Sequence, residues 1–387
     1  MSKLIATVII PTYNEKGNID RTIKQLDKVF AKIDNWQMKI LVVDDRSPDK
    51  TYEIVESLKT QYKYLHLLIN PKKSGLGHAY LKGMEYAFNE LKSDVIFEFD
   101  ADLSHDPTKI PDFLSKIEAG NDVVIGSRYM PGGSIPTNWG LHRKFLSIVG
   151  NIVIKVILTN FSISDWTTGF RAITKKVYRA ISPEMTDEKF SGYTFQIGFL
   201  HKSAQKKFKI AEVPFKFQDR TIGKSKIGPE YIVNNLIYLF KTRWQDLLKS
   251  RVFKFLIVGT IGASIQFLSE ALLQFFMSYL VAHIIAIEIA LISNFVLSNL
   301  WTFADRKIKK GQIPKKLLEF NLSSAGSILI QIIIGFLGIS LIGILDLFKV
   351  PLINFTVNTG MIFTAIGILL GMFWNFFAYN FFIWKKK

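Results

Sequence analysis

From Arg251 to the end, the chain carries four apolar stretches that no water-soluble globule can accommodate. Residues 252–279, 280–303, 320–345 and 354–384 each supply the roughly 20 apolar residues that a helix needs to cross a bilayer's hydrocarbon core. Four crossings return the chain to its starting side. Arg306, Lys307, Lys309, Lys310, Lys315 and Lys316 crowd the connection between the second and third stretches, and Lys385, Lys386 and Lys387 end the chain. The connection 346–352 holds only Lys349. The positive-inside rule then expects the middle loop, the C-terminus and the N-terminal part to be cytoplasmic. Trp301 and Trp384 fall at span ends, where belt residues belong. Glu270 and Glu288 lie within spans, where ionisable groups are functional candidates by default. Hydrogen bonding between helices, to Asn294 or Gln266, accounts for them equally.

The remaining two thirds have a different pattern. The 387-residue chain carries a formal charge of +17 and no cysteine, which excludes disulfides and thiolate metal sites. An excess of this sign implies anionic partners. Nucleic acid is disfavoured, because the basic residues cluster beside membrane segments rather than along one soluble face. The apolar run 4–10 ends at Pro11 without a cleavage-type sequence, so no signal peptide is expected and the N-terminal part is expected to stay in the cytoplasm. Strands are expected at 4–10, 39–43, 65–69 and 94–99, and helices at 18–33, 51–62 and 77–91. Such alternation implies a mostly parallel sheet covered on both faces. Ligands bind beyond the carboxyl ends of its strands. Three polar segments fall there: 11–15 (Pro-Thr-Tyr-Asn-Glu), 44–49 (Asp-Asp-Arg-Ser-Pro-Asp) and 100–102 (Asp-Ala-Asp).

The last of these follows the apolar run Val95, Ile96, Phe97, Glu98, Phe99 and leads into Leu103, Ser104, His105, Asp106 and Pro107. Asp100 and Asp102, one residue apart at a strand tip, are hard oxygen ligands suited to Mg²⁺ or Mn²⁺ together with a substrate phosphate. The plainer alternative is a strand cap and a turn. Gly75 and Gly77 match neither the dinucleotide fingerprint nor the Lys-Ser/Thr phosphate loop; a turn into the following helix is expected. His105 is expected to hydrogen-bond locally rather than act as a base. Asp165, in the run Asp-Trp-Thr-Thr-Gly-Phe-Arg, can pair with Arg171. Residues 141–160 combine a cationic start with an apolar body too short to span a membrane, which suits the membrane interface. A buried amphipathic helix is the alternative. There Arg143 and Ser147, four apart, share one helix face. Residues 229–250, with Tyr231, Leu236, Tyr238, Phe240 and Trp244 beside Lys241 and Arg243, have the character of a second interfacial helix.

Taken in order, six motifs resemble the family 2 glycosyltransferases of the GT-A fold. They are Pro11 to Glu15, Val43 to Asp49, Gly75 to Tyr80, Asp100 to His105, Gly126-Ser127-Arg128-Tyr129, and Arg220-Thr221-Ile222-Gly223-Lys224-Ser225-Lys226. The last three narrow the resemblance to the dolichol-phosphate mannose synthases, over about residues 4 to 228. The four-span part resembles the GtrA-like membrane domain. The resemblance implies an α/β (Rossmann-like) GT-A catalytic domain over 1–228, an interfacial linker over 229–250 and an all-α transmembrane domain over 251–387. It implies that Pro11, Tyr13, Glu15, Val43 and Asp45 hold the nucleoside, with Asp45 reading the base. Asp100, Ala101 and Asp102 would hold the ribose side and the metal, with Ser104 at the third metal position and Arg128 beside the donor. Arg220 and Lys226 would clamp the diphosphate. Arg143 and Ser147 would meet the acceptor's phosphate. Asp165 would line the acceptor side, the alternative to its pairing with Arg171.

The expected reaction is inverting transfer of mannose from GDP-mannose to a dolichyl or polyprenyl phosphate at the cytoplasmic face. A UDP-sugar donor is the nearest alternative. A lipid-linked sugar flippase or membrane scaffold is the alternative of a different class.

Overall fold

The computed structural model describes residues 3–185, 193–219, 229–350 and 355–385. The chain divides inside one helix, between Arg243 and Trp244, into two compact units.

In the first unit β1 (Leu4–Thr12), α1 (Ile19–Phe30), β2 (Trp36–Asp44), α2 (Thr51–Leu58), β3 (Leu65–Ile69), α3 (Leu76–Asn89) and β4 (Val95–Glu98) alternate as expected. They are followed by α4 (Ile110–Glu118), β5 (Val123–Ser127), α5 (Leu141–Leu158), β6 (Arg171–Thr174), α6 (Lys175–Ile181), α7 (Thr194–Gln205), β7 (Ile210–Pro214) and α8 (Pro229–Lys249). The sheet order is β3-β2-β1-β4-β6-β5-β7. Every pairing is parallel except those of β6, which runs antiparallel to both β4 and β5. Parallel strands buried on both faces read as near-continuous apolar runs, and β1 follows this except at Thr7, whose hydroxyl is bonded to Ser93 Oγ at 2.7 Å, and at its polar end Thr12. Ala6, Val8 and Ile10 enter one core with Ile23 and Leu26 of α1 and Phe113 of α4. Ile9 enters the other with Tyr80 and Met84 of α3 and Phe199 of α7. Each of the Val, Ile, Leu, Met and Phe side chains among them contributes about 1.5–3 kcal/mol when removed from water.

Strands β1 and β2 run longer than expected. Their parallel register continues through Pro11 opposite Val43 and Thr12 opposite Asp44, so both strands deliver their polar ends to one edge. Helix α2 stops short of the expected Tyr62, whose ring turns into the core with Leu65. Helix α3 can lie close on the sheet because Gly83 faces it; a Cβ there would meet Ile9 at 2.7 Å and Val43 at 3.0 Å. Helix α5 buries Asn151, Ile154 and Leu158 and exposes Leu141, Phe145, Leu146, Ile152 and Val156.

The second unit contains α9 (Arg251–Leu273), α10 (Tyr279–Leu297), α11 (Ile313–Leu341) and α12 (Thr359–Ala378), which provide four helices long and apolar enough to cross a membrane. Here α11 begins seven residues before the expected 320, so Lys315 and Lys316 form its first turns rather than a loop. Lys316 is paired there with Glu319 at 2.6 Å. The connection from α11 to α12 includes a two-stranded hairpin, β8 (Asp346–Val350) with β9 (Phe355–Asn358). Glu270 accepts a hydrogen bond from Gln274 of its own helix at 3.3 Å, and Asn294 packs against Gly262.

Candidate active site

Because β1, β2, β4 and β5 point the same way, the loops after them share one edge of the sheet. The first is pinned to the second by short side chains. Thr12 Oγ1, Ser47 N–H and Ser47 Oγ–H all donate to the buried Asp44 carboxylate at 2.7 Å. The N–H groups of Asn14 and Glu15 donate to Ser47 Oγ and Thr51 Oγ1, each at 3.0 Å. Asn14, Arg46 and Lys50 take left-handed backbone conformations here, which non-glycine residues hold only where the surroundings impose them. Asp44 is thus the organiser of this turn, while its neighbour Asp45 faces the other way.

Asp45 is buried and fully engaged. Asn70 Nδ2 and Ser74 Oγ donate to its Oδ1 at 2.7 and 2.9 Å, and the N–H groups of Ser74 and Gly75 donate to its Oδ2 at 2.8 and 3.1 Å. The glycine pair therefore makes a turn into α3, as expected, and Gly75 is needed for its positive φ of 87°. Lys73, carried by the same segment, lies 4.1 Å above the Tyr13 ring. Pro11 and Val43, paired in register, form the floor between these loops.

The carboxylate pair follows β4. Leu103, at φ 59°, reverses the chain after it. Ala101 C=O is held by Thr22 Oγ1 of α1 at 2.6 Å. Asp100 N–H donates to His105 Nδ1 at 3.1 Å, which assigns the imidazole proton to Nε2. That Nε2 lies 3.6 Å from Asp100 Oδ2, and Tyr80 OH donates to Oδ1 at 3.3 Å. His105 is buried, stacked on Phe170 with centroids 5.1 Å apart, and burial pushes its pKa down. The ring is therefore neutral and serves local hydrogen bonding, as expected of it. Ser104 is buried behind Asp102, and its N–H donates to Asp102 Oδ1 at 3.0 Å. Both aspartates retain access to solvent. Among the described residues no three His, Cys, Asp or Glu side chains cluster to hold a metal ion. Ser104, expected at a third metal position, is buried while both aspartates are half-buried, so a divalent cation here would take the two carboxylates and complete its shell with substrate oxygens, an arrangement that suits Mg²⁺ or Mn²⁺.

The anticipated pairing of Asp165 with Arg171 does not form. Arg128 Nε and a terminal nitrogen reach the two Asp165 oxygens at 2.6 and 2.7 Å, and Arg128 N–H adds a third bond at 3.1 Å. Burial alone would raise the Asp165 carboxyl, but the guanidinium against it more than offsets this and holds it below its ordinary range. Arg171 instead stands directly opposite Glu98 across the β4–β6 ladder, 3.8 Å from it, and donates to Thr168 C=O and Gln196 C=O at 2.9 and 2.7 Å. Glu98 went unremarked in the sequence. Burial pushes its carboxyl up to about 7 despite the arginine. The available signal was one charged residue inside an otherwise apolar strand.

On α5, Arg143 and Ser147 do share a face. Arg143 is bonded to Asp219 at 3.1 and 3.3 Å and lies over the Trp139 ring at 3.8 Å. Ser147 Oγ is 2.5 Å from Tyr129 OH, and that ring lies 5.4 Å from the Arg128 guanidinium. The helix is thereby tied to the loop after β5. Arg220 and Lys226 lie outside the described residues.

Residues 7–182 match the family glycosyl transferase family 2, and residues 254–384 match the GtrA/DPMS transmembrane domain. Dolichol-phosphate mannosyltransferase of Pyrococcus furiosus is 33% identical over 341 residues, covering 85% of this chain and 89% of the relative. Undecaprenyl-phosphate mannosyltransferase of Micrococcus luteus is 35% identical over 243 residues, 62% of this chain and 96% of the relative. Polyprenol monophosphomannose synthase of Mycolicibacterium smegmatis is 37% identical over 222 residues, 57% of this chain and 80% of the relative.

Proposed function

Since this chain belongs to the family 2 glycosyltransferases, with a GT-A catalytic domain and a GtrA/DPMS transmembrane domain, we propose that it transfers mannose from GDP-mannose to dolichyl or a related polyprenyl phosphate. Transfer would invert the anomeric carbon and take place at the cytoplasmic membrane face. The observation that carries this reading is one juxtaposition. The Asp100/Asp102 loop after β4 and the loop after β5, whose Tyr129 holds Ser147 of the Arg143/Ser147 face, leave the same sheet edge, and that face sits on a helix whose outer side is apolar.

In this reading Pro11, Tyr13, Glu15 and Val43 hold the nucleoside, Asp45 shapes that pocket through the 70–75 segment it anchors rather than by reading the base, and Arg128, locked by Asp165, shapes the donor wall. Asp100, Asp102 and the backbone of Ala101 face the diphosphate, with Ser104 fixing Asp102 through its N–H. A divalent cation held by Asp100 and Asp102 would neutralise charge growing on the departing nucleoside diphosphate. Arg220 and Lys226 would add fixed donors to the same charge. The acceptor's phosphate monoester has a second pKa near about 6 and is already largely dianionic at neutral pH, so it needs positioning rather than a base. Arg143 and Ser147 supply that positioning. The neutral, buried His105 keeps the Asp100 backbone in place and takes no proton from substrate.

The test is transfer of radiolabelled sugar from GDP-mannose and from UDP-glucose to dolichyl and undecaprenyl phosphates, by the purified full chain. Label should enter the lipid fraction from GDP-mannose, as the opposite anomer to the donor, and should cease with EDTA. Asp102→Ala should lose about 10²–10³-fold or more in rate, the scale of deleting a group that stabilises transition-state charge. Transfer from UDP-glucose alone, retention of the anomer, or undiminished turnover by Asp102→Ala would each remove the corresponding part of the proposal.

A further inference from the structure

The acceptor arginine already holds an anion of the protein's own. Both oxygens of Asp219 face the Arg143 guanidinium at 3.1 and 3.3 Å, and Trp139 Nε1 donates to the same carboxylate at 3.2 Å. The guanidinium lies over the Trp139 ring, 3.8 Å from its centroid, and Trp139 is itself buried against Phe217. The fork is thus oriented by an aromatic platform and plugged by a carboxylate. Guanidinium forks accept carboxylate and phosphate in the same two-point geometry, so one can replace the other without moving the arginine. The pair is partly open to solvent, with side-chain exposures of 38% and 31%, which makes the contact weak enough to exchange.

We infer that Asp219 is the acceptor-selectivity residue of this site: its carboxylate occupies the phosphate seat on Arg143, and a ligand enters by outcompeting it. The inference rests on the reading of Arg143 as the acceptor's contact. Its physical purpose follows from where such a site works. Helix α5 turns Leu141, Phe145, Leu146 and Ile152 outward, and a helix of that character lies at the headgroup level of a bilayer. An unguarded arginine there meets phosphodiester headgroups, each carrying one negative charge, in vast excess over any acceptor. A phosphate monoester carries about −1.5 to −2 at neutral pH. A resident carboxylate therefore turns away the singly charged diesters and yields to the monoester. Asp219 acts through Arg143 and is a positioning residue.

Equilibrium binding of radiolabelled farnesyl phosphate to the full chain, without any sugar donor, tests this in wild type, Asp219→Asn, Arg143→Ala and the double variant. Asp219→Asn should bind farnesyl phosphate about two- to fivefold more tightly, the size of a partly exposed ion pair, with KM for GDP-mannose unchanged. In nanodiscs, added phosphatidylglycerol should compete with farnesyl phosphate in Asp219→Asn and not in wild type. Inorganic phosphate should likewise compete better in Asp219→Asn, which separates capture of the phosphate group from capture of the lipid chain. Arg143→Ala should weaken binding and abolish the effect of Asp219→Asn. Weaker farnesyl phosphate binding by Asp219→Asn, with Arg143→Ala also weakened, would show that Asp219 merely orients the arginine and would overturn the inference alone. Binding unchanged in Arg143→Ala would bring down both the inference and the acceptor reading beneath it.

Discussion

Asp165 bears on the candidate site through the arginine it holds. It is fully buried, and its partner Arg128 is nearly so; removing one member of such a pair strands the other charge in the core at a cost of about 3–5 kcal/mol. Asp165→Asn should therefore lower the melting temperature of the detergent-solubilised chain by roughly 10 °C, since a domain of this size shifts about 2–4 °C per kcal/mol. The pH dependence has a definite sign. Arg128 holds the folded-state pKa of Asp165 below its ordinary 3.8, so the pair's contribution is whole above about pH 4 and drains away as the pH falls towards the depressed value. The gap between wild type and Asp165→Asn should stay constant from pH 5 to 8 and narrow below about pH 4. A gap that instead closes as the pH rises would contradict the assignment. At this scale the sequence was unevenly legible. Asp100 and Asp102 stood out because an apolar strand delivers them to a loop. The true partner of Asp165 did not, since it lies 37 residues away and is set by β6 inserting antiparallel between β4 and β5, an order that local pattern does not encode. Asp45 was legible as a polar residue at the end of β2, but its four-donor anchorage to the 70–75 segment was not, because that too depends on how the loop after β3 folds back.

At the level of elements, the alternating pattern read correctly because strand and helix periods differ and the strands are buried on both faces. What local pattern missed were the ends: β1 and β2 continue through parallel register, and α11 takes Lys315 and Lys316 into its first turns. Helix packing in the membrane unit was also beyond reach, since lipid tails are as apolar as leucine and association depends on close backbone approach at small residues. The α11–α12 contact illustrates this. A Cβ on Gly338 would lie 2.4–2.6 Å from three atoms of the Phe363 ring, whereas Gly335, one turn earlier on the same helix, has nothing within 4 Å. Gly338→Leu should therefore destabilise the detergent-solubilised chain by about 1–3 kcal/mol, the usual cost of overpacking, and Gly335→Leu should be near neutral. Thermal melts of the two variants side by side check this. Equal melting temperatures would mean that α11 and α12 do not pack through Gly338.

For the molecule as a whole, the proposed reaction needs its donor site on the cytoplasmic side, and the positive-inside rule expects the basic connection between α10 and α11 on that side too. Arg306, Lys307, Lys309 and Lys310 lie in that connection, and Lys385, Lys386 and Lys387 end the chain, whereas the α11–α12 connection carries Lys349 alone. Lysine or arginine at the centre of a span costs about 2.5–3.5 kcal/mol on insertion scales, and the distribution of positive charge around short loops sets orientation. An even number of crossings then keeps both ends with the basic connection. The chain contains no cysteine, so single cysteines report sidedness without background. Three positions suit the purpose: exposed Lys63 in the first unit, Gly311, which has open space around it, and Leu347 of β8, which is 48% exposed. In intact cells a membrane-impermeant maleimide should label Leu347→Cys, and it should label Lys63→Cys and Gly311→Cys only after permeabilisation. Labelling of Gly311→Cys together with Leu347→Cys in intact cells would break the four-crossing arrangement. Labelling of Lys63→Cys in intact cells would place the catalytic unit outside, where no cytoplasmic nucleotide sugar could reach it.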